Sequence, residues 1–361
     1  MSANGCEVLV IGEGLSGIVA AATAATEGSR VTLVSKGPGN FVLGSGCIDL
    51  DGPDPAKLGL IDDRAETAVS FFLGLTSAAD CAYSGGTFDR HLVPTIMGTF
   101  QAVSLAPRCL WQADPKSFGR VLVAGLANMP SFDAKFVAER LSSHAKAMGL
   151  VTSYRNEVVT LPHNPRHALT PIEVASHIDR DNDYRNALAQ ALRPAIRDAE
   201  LLILPGILGV KSNDTDVVCF EEDIGCPVCE LATLPPSVPG LRLLQRLERR
   251  LTQLGVDIST GFPVRKLCTE GKHCVAVELD TPGRPRELRA DTVILACGRF
   301  SKLLEPTMAE FTGYGSHLDN VFACGSLLGR FEPRHRNAVS ILTGHQAGML
   351  ASKQGVQYAG R

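Results

Sequence analysis

The chain has 361 residues, enough to bury a large core and to divide into about two domains. Charged residues make up 20% and hydrophobic ones 45%, the balance of an ordinary soluble globular protein. The net charge is −3 and basic residues are interspersed with acidic ones, which argues against nucleic acid or an anionic membrane as a direct partner. The 11 cysteines are odd in number and scattered, a usage that fits a reducing compartment better than a disulfide framework. No run of about 18 apolar residues offers a transmembrane helix, and a first strand beginning by about Cys6 leaves no room for a signal peptide.

Glu7-Val-Leu-Val-Ile11 reads as a strand that passes through Gly12-Glu-Gly-Leu-Ser-Gly17 into an alanine-rich helix, Ile18 to Thr26. That order is the dinucleotide-binding fingerprint. Gly12 turns the chain off the strand, Gly14 lets the backbone approach a pyrophosphate, and Gly17 lets the helix lie close on the sheet. The first turn presents unpaired N–H groups and the positive end of the helix dipole to a phosphate, so Leu15 and Ser16 join the glycines as cofactor candidates. Arg30-Val-Thr-Leu-Val34 supplies the second parallel strand. The acidic residue that would follow it and hold an adenosine ribose is absent, and Ser35-Lys36-Gly37 stands there, with Ser35 and Lys36 as the cofactor candidates. This argues against NAD, leaves the adenosine half of FAD without its commonest anchor, and keeps a shorter flavin open. Ser-Lys-Gly followed by Gly44-Ser-Gly46-Cys-Ile-Asp49 resembles the opening of the fumarate reductase and L-aspartate oxidase group of flavoproteins. The resemblance implies that Gly44, Ser45 and Gly46 run along the flavin.

Asp51-Gly-Pro-Asp-Pro55 is a turn-rich break, so residues 1–50 form the first part of a flavin-binding domain and 51–236 an insertion. Within the insertion, Ala65 to Leu75, Phe132 to Met148 (capped by Ser131) and Tyr184 to Asp198 have helical spacing, whereas Arg120 to Gly125 and Glu200 to Leu204 read as buried strands. It is an α/β cap, where a substrate would be closed in. Residues 237–361 resume the nucleotide domain. Pro239-Gly240 opens a helix with Leu243, Leu247, Leu251 and Leu254 on one face and Arg242, Arg246, Arg249 and Arg250 away from it. Val256–Ser259, Val264–Cys268, Cys274–Leu279 and Arg286–Arg289 alternate as in a small antiparallel meander. Asp291 to Gly298 and Asn320 to Gly325 are buried strands, and Ala338 to Ser352 is a closing helix. The fold class is therefore α/β: a Rossmann-like FAD/NAD(P)-binding domain with a β-meander, plus an inserted α/β cap.

Helix, meander, "DTVILACG", "NVFACGSLLG" and "SILTGHQAG" in that order resemble the way two-dinucleotide-fold flavoproteins complete their nucleotide domain. The resemblance places Cys297 and Gly298 near the cofactor phosphates or adenosine and Gly325 and Ser326 beside the ribityl chain. It also directs the N-terminus of the helix carrying Thr343 and Gly344 at the isoalloxazine. Cys226-Pro-Val-Cys-Glu-Leu-Ala-Thr-Leu-Pro-Pro-Ser-Val-Pro-Gly-Leu-Arg242 closely resembles a signature of the B-subunit family of anaerobic glycerol-3-phosphate dehydrogenase. The family is echoed by Ser45 to Leu50, Leu92 to Thr99, Leu204 to Gly209 and Val321 to Gly329. It implies a flavoprotein subunit paired with a larger catalytic subunit on a membrane-associated iron–sulfur subunit, cytoplasmic and peripheral to the inner membrane. The reaction implied is oxidation of sn-glycerol 3-phosphate to dihydroxyacetone phosphate, with electrons passed to quinone. The family implies FMN where the dinucleotide fold favours FAD, and both remain open.

Two departures from the family stand out: the stretch from Lys302 to Asp319 is abbreviated, and Glu332-Pro-Arg-His-Arg-Asn337 replaces a glycine-rich turn before the last helix. Oxidising a secondary alcohol needs a hydride acceptor at flavin N5 and a base for the hydroxyl proton, and a phosphorylated substrate needs cationic clamps. His335 is the candidate base, and Arg334 and Arg336 are the candidate phosphate ligands. The bland counterpart is a solvated loop whose arginines touch the flavin phosphate or the larger subunit. His317 and His345 are weaker candidates. Cys226 and Cys229 have the spacing of a redox or metal pair, but no second CxxC completes a four-cysteine site, so no metal is assigned. Two functions follow: an oxidoreductase subunit with a bound flavin, or a non-catalytic flavin-fold scaffold or electron relay that holds the larger subunit on its iron–sulfur partner. A succinate- or fumarate-type enzyme acting alone lacks its histidine and arginine signatures here.

Overall fold

The computed structural model describes residues 6–54, 56–60, 63–161, 167–233, 235–298 and 314–359. In chain order, β1 (Cys6–Glu13), α1 (Leu15–Thr26) and β2 (Val31–Pro38) are followed by α2 (Arg64–Ala78), β3 (Tyr83–Gly85), β4 (His91–Pro94), β5 (Phe100–Val103) and β6 (Leu105–Pro107). Next come α3 (Arg108–Trp111), β7 (Arg120–Leu126), α4 (Ala134–Ala147), β8 (Ser153–Val159), α5 (Pro171–Arg180), α6 (Asn182–Ile196) and β9 (Leu201–Leu204). They lead to α7 (Asp214–Ile224), β10 (Val228–Glu230), α8 (Val238–Gln253), β11 (Asp257–Thr260), β12 (Val264–Glu270), β13 (His273–Leu279), β14 (Arg286–Leu295), β15 (Val321–Ala323) and α9 (Arg336–Ala359). The chain divides into two units, Met1–Phe41 with Asp49–Leu75 and Leu247–Arg361, and Val42–Ile48 with Thr76–Arg246.

The first unit is built on β1, whose Val8, Leu9, Val10 and Ile11 are all buried, as a strand covered on both faces requires. It pairs in parallel with β2 on one side and β14 on the other, and β11 and β15 extend the parallel sheet beyond β2 and β14. β12 and β13 add the antiparallel meander at the start of β14, completing seven strands. Arg286–Arg289 and the strand after Asp291 are thus one continuous element: its first residues pair with β13 and its later ones with β1. Asp257–Thr260, expected in the meander, instead pairs in parallel with β2. Alternation over four residues carries no information about strand direction, and pairing decided it. Asn320 locks the meander to the parallel sheet, accepting from Cys274 N at 2.8 Å and donating to the carbonyls of Cys274 at 2.8 Å and Asp291 at 2.7 Å.

α9 crosses α1 almost backbone to backbone. A Cβ on Gly344 would lie 2.5 Å from the Ser16 carbonyl oxygen, and one on Gly348 would lie 2.7 Å from that of Ala20. The closing helix is longer than Ala338–Ser352, reaching Ala359. Of the abbreviated Lys302–Asp319 stretch, residues 302–313 lie outside the described ones. Among the described residues no helix is long and apolar enough to cross a membrane.

The second unit is α/β in its own right, with a parallel sheet in the order β10-β9-β7-β8. Leu201 to Leu204 and Val121 to Ala124 are buried at its centre. Here α4 begins after Asp133, whose carboxylate accepts from Phe136 N at 3.0 Å, so the cap is Asp133 and not Ser131. α5 carries a Thr170–Glu173 capping box and α7 one made by Asn213 and Asp216. The sharpest departure from periodicity is on α8, where Arg242 and Arg246 are buried. Arg242 Nη1 lies 2.6 Å from Oε2 of the fully buried Glu230, and Arg242 Nε donates to the Gly209 carbonyl at 2.8 Å. Arg246 donates to the carbonyls of Lys211 and Ser212. A helical wheel assigns charge to solvent and has no view of a partner carboxylate on β10.

Burial works against ionisation of Glu230. The Arg242 charge and its hydrogen bonds, with that of Leu208 N–H, nevertheless hold the carboxyl below its usual range. A depressed carboxyl contributes stability above the unfolded-state pKa and loses it as pH falls through the folded value. Glu230→Gln strands a buried guanidinium and is expected to cost about 3 to 5 kcal/mol in urea unfolding, with Glu230→Leu/Arg242→Met recovering most of it. The wild type, unlike that double variant, is expected to lose stability through this pair in acid.

Candidate flavin site

The carboxyl ends of β1, β14 and β15 converge where the sheet reverses its order, with β2 on one side of β1 and β14 on the other. A crevice at such a switch point is where open α/β sheets take their ligands. Gly12 has φ +114°, and a Cβ there would sit 2.5 Å from the Ala296 carbonyl oxygen, so the turn closes against the end of β14 only with glycine. A Cβ on Gly17 would be 1.9 Å from the Gly12 carbonyl oxygen, which seats α1 on the strand. Gly14 differs from both. Its φ of −75° and ψ of 167° suit any residue, and a Cβ there would meet nothing closer than Ala296 O at 4.0 Å. The chain itself has no need of glycine at 14. The space is used by something outside the chain.

α1 starts at Leu15 with no side-chain cap and no acidic residue in its first turn, although its first N–H groups need acceptors. Leu15, Ser16 and Gly17 therefore present backbone donors at the partly exposed Gly14, a cradle that fits the pyrophosphate of a flavin dinucleotide. Cys297, Gly298 and Ser326 are partly exposed at the same strand ends, and Ser326 Oγ lies 3.7 Å from a Cβ position on Gly298. Beneath them Gly325 N donates to Thr343 Oγ1 at 2.8 Å, and that hydroxyl donates to the Val339 carbonyl at 2.6 Å. Thr343 and Gly344 thus serve the packing of α9 on α1 and β15 under the site. Gly44, Ser45 and Gly46 belong to the second unit. There Ser237 Oγ donates to the Gly44 carbonyl at 2.7 Å, Cys47 N to Ser45 Oγ at 3.4 Å, and Tyr83 Oη to the Gly46 carbonyl at 2.9 Å.

Ser35 is buried at the end of β2 and Lys36 is exposed. Ser35 Oγ donates at 2.8 Å to Glu13, the residue between Gly12 and Gly14, which also accepts from Thr260 Oγ1 at 3.0 Å. Glu13 was not a candidate from sequence, although a charged residue inside a glycine turn was a signal.

The basic turn at the start of α9 has a second unforeseen member, Asp49. His335 is buried, with Nε2 3.7 Å from Asp49 Oδ2 and without a hydrogen-bond partner. The ring packs under Gly52, where a Cβ would come within 2.3 Å of Cε1. Arg334 is mostly exposed, 3.0 Å from Glu332 and 3.9 Å from Asp49, and Arg336 is exposed. His335 and Asp49 form a buried acid–base pair with two arginines at its rim.

His345 is buried against Phe71, with ring centroids 5.1 Å apart, and burial pushes its pKa down, so it stays neutral in the core. His317 is exposed. Among the described residues the cysteines are free thiols and no cluster of three metal-ligating side chains occurs. Burial pushes Cys226 up to about 11 and Cys229 higher still. Their sulfurs donate to the Ala199 carbonyl and to the Glu230 and Leu110 carbonyls, so the CxxC spacing serves the second unit's core.

Residues 7–75 and 225–319 match the family model described as an FAD binding domain. The anaerobic glycerol-3-phosphate dehydrogenase B subunit of Pectobacterium carotovorum is 30% identical over 324 residues, covering 81% of this chain and 75% of the relative. A probable B subunit of the same enzyme from Halobacterium salinarum is 28% identical over 318 residues, covering 81% and 74%. Among solved structures, L-amino acid deaminase from Proteus myxofaciens is 16% identical with a TM-score of 0.35, and the match covers 86% of this chain and 49% of that one. A 3-ketosteroid delta1-dehydrogenase from Sterolibacterium denitrificans is 15% identical with a TM-score of 0.36, covering 81% and 47%. This chain thus spans about half the length of either enzyme. With a parallel switch-point sheet, a cradle at Gly14 and the FAD-binding match over both flanks of the insertion, the cofactor is a flavin, FAD in particular. The chain belongs to the B-subunit family of anaerobic glycerol-3-phosphate dehydrogenase.

Proposed function

We propose that this chain, a flavoprotein dehydrogenase subunit, oxidises sn-glycerol 3-phosphate to dihydroxyacetone phosphate and sends the electrons toward quinone. It does so beside a larger catalytic subunit, on an iron–sulfur partner at the cytoplasmic face of the inner membrane. The observation that carries the flavin half of this reading is Gly14: a glycine the backbone does not need, in front of an uncapped helix, kept for a ligand. The substrate and partners follow the names of its relatives.

Bound at this crevice, the flavin supplies a hydride acceptor for the carbon bearing the secondary hydroxyl. The chain's residues have the rest to do. The Leu15, Ser16 and Gly17 N–H groups hold the pyrophosphate. His335 takes the hydroxyl proton at a ring nitrogen, and Asp49, 3.7 Å from Nε2, favours the protonated ring. Arg334 and Arg336 hold the phosphate of the substrate at the rim.

A second reading has its own support. Arg334 already pairs with Glu332 at 3.0 Å and His335 is covered by Gly52, as in a turn built for structure. The chain would then be a scaffold or electron relay for the larger subunit.

Gly14→Val is expected to leave the thermal midpoint near wild type while abolishing flavin retention, read from the absorbance of the purified chain. An unchanged flavin content would remove the carrying observation. The wild-type preparation is expected to be yellow and to bleach with glycerol 3-phosphate in the absence of the larger subunit, with His335→Ala slowing bleaching about 10²- to 10⁴-fold. A flavin that bleaches only when the larger subunit is added selects the relay.

A further inference from the structure

The end of β2 lacks the carboxylate that commonly holds an adenosine ribose in this kind of sheet, Ser35 being there instead. A carboxylate nevertheless lies over that strand end. Glu13, in the phosphate turn itself, is only 2% exposed, and its Oε2 accepts from Ser35 Oγ at 2.8 Å and Thr260 Oγ1 at 3.0 Å. Those hydroxyls stand at the carboxyl ends of β2 and β11 and draw the side chain away from Gly14, toward the flank where the second sugar of a dinucleotide belongs. The other oxygen, Oε1, is buried with no hydrogen-bond partner. An unmet carboxylate oxygen is costly to keep in a fold, and nothing in the pairing of β2 or β11 calls for one.

We propose that Glu13 binds the ribose hydroxyls of the adenosine half of FAD, in place of the acid missing from β2, with Ser35 and Thr260 as positioning residues. This rests on the flavin reading above. Glu248 of α8 faces the same carboxylate, and burial, followed by Glu13, pushes its carboxyl up to about 7. The two groups therefore share a proton near neutrality, which gives Glu13 a donor in the flavin-free chain. On binding, the ribose hydroxyls become the donors and the half-buried Glu248 side chain turns aside. FMN ends at its single phosphate and has no group that reaches Glu13, so this carboxylate makes the site select the dinucleotide.

The test is calorimetric titration of the flavin-free full chain with FAD, FMN, ADP and 2′-deoxy-ADP. The wild type is expected to bind FAD more tightly than FMN and ADP more tightly than 2′-deoxy-ADP. Glu13→Ala is expected to weaken FAD and ADP at least about tenfold, to leave FMN unchanged, and to stop distinguishing the two ADPs. Glu13→Gln keeps the side chain's shape and the ADP comparison decisive should the alanine variant fail to fold. Unchanged FAD and ADP affinities in the variants overturn the assignment and leave the flavin reading standing. Equal losses of FAD and FMN in a folded variant overturn it as well, since the role would then be general to the turn. A wild-type chain that takes up neither flavin overturns both.

Discussion

The first unit depends on a steric constraint, the near-contact of three backbones at one point. The Gly12 carbonyl lies where a side chain on Gly17 would be, the end of β14 lies where one on Gly12 would be, and the backbone of α1 at Ser16 lies where one on Gly344 would be. Strand, helix, neighbouring strand and closing helix are therefore held within a side chain's breadth of each other around residues 12 to 17. Dispersion at such distances is collectively large, and a methyl group at any of these positions has no space to relax into. The consequence for function is positional. The first-turn donors of α1 are fixed relative to the ends of β14 and β15 by packing alone, before any ligand arrives. Preorganised donors need no further ordering when an anion binds.

That constraint also explains why this part of the molecule was legible in sequence. Gly12, Gly14 and Gly17 are five residues apart at most, and their roles depend on neighbours a turn away. Side-chain partners drawn from distant segments were not legible. Glu13 owes its place to Ser35 and Thr260, His335 to Asp49, and Arg242 to Glu230, and no periodicity records those pairings. The burial of Arg242 and Arg246 reversed the face expected of α8, because a charge is driven outward only when no carboxylate or carbonyl waits inside. The cap of α4 moved from Ser131 to Asp133 for a local reason, since either residue is a good cap and the first helical residue settles the choice.

The two polar centres of the first unit have opposite character. At the glycine turn, two carboxyls share a proton next to a helix terminus that favours anions. At the start of α9, a buried histidine and aspartate sit under two exposed arginines. The first suits hydroxyl donors beside a pyrophosphate, the second an anionic substrate that must give up a proton. Dividing these tasks between separate turns leaves each free to change without disturbing the other, since the residues joining them, Thr343 and Gly325, are committed to packing.

β14 joins both halves of the first unit's sheet. The same strand pairs with β13 in the meander at its start and with β1 further on, and Ala296, just past its end, donates to the Ile11 carbonyl at 2.8 Å. A one-residue slip of this strand would turn every side chain to the wrong face and carry the Ala296 carbonyl off Gly12. The distance from the meander to the phosphate turn is thus a ruler cut to length. A newly made chain with the hairpin misaligned presents a misshapen pocket, and cofactor uptake acts as a proofreading step for assembly.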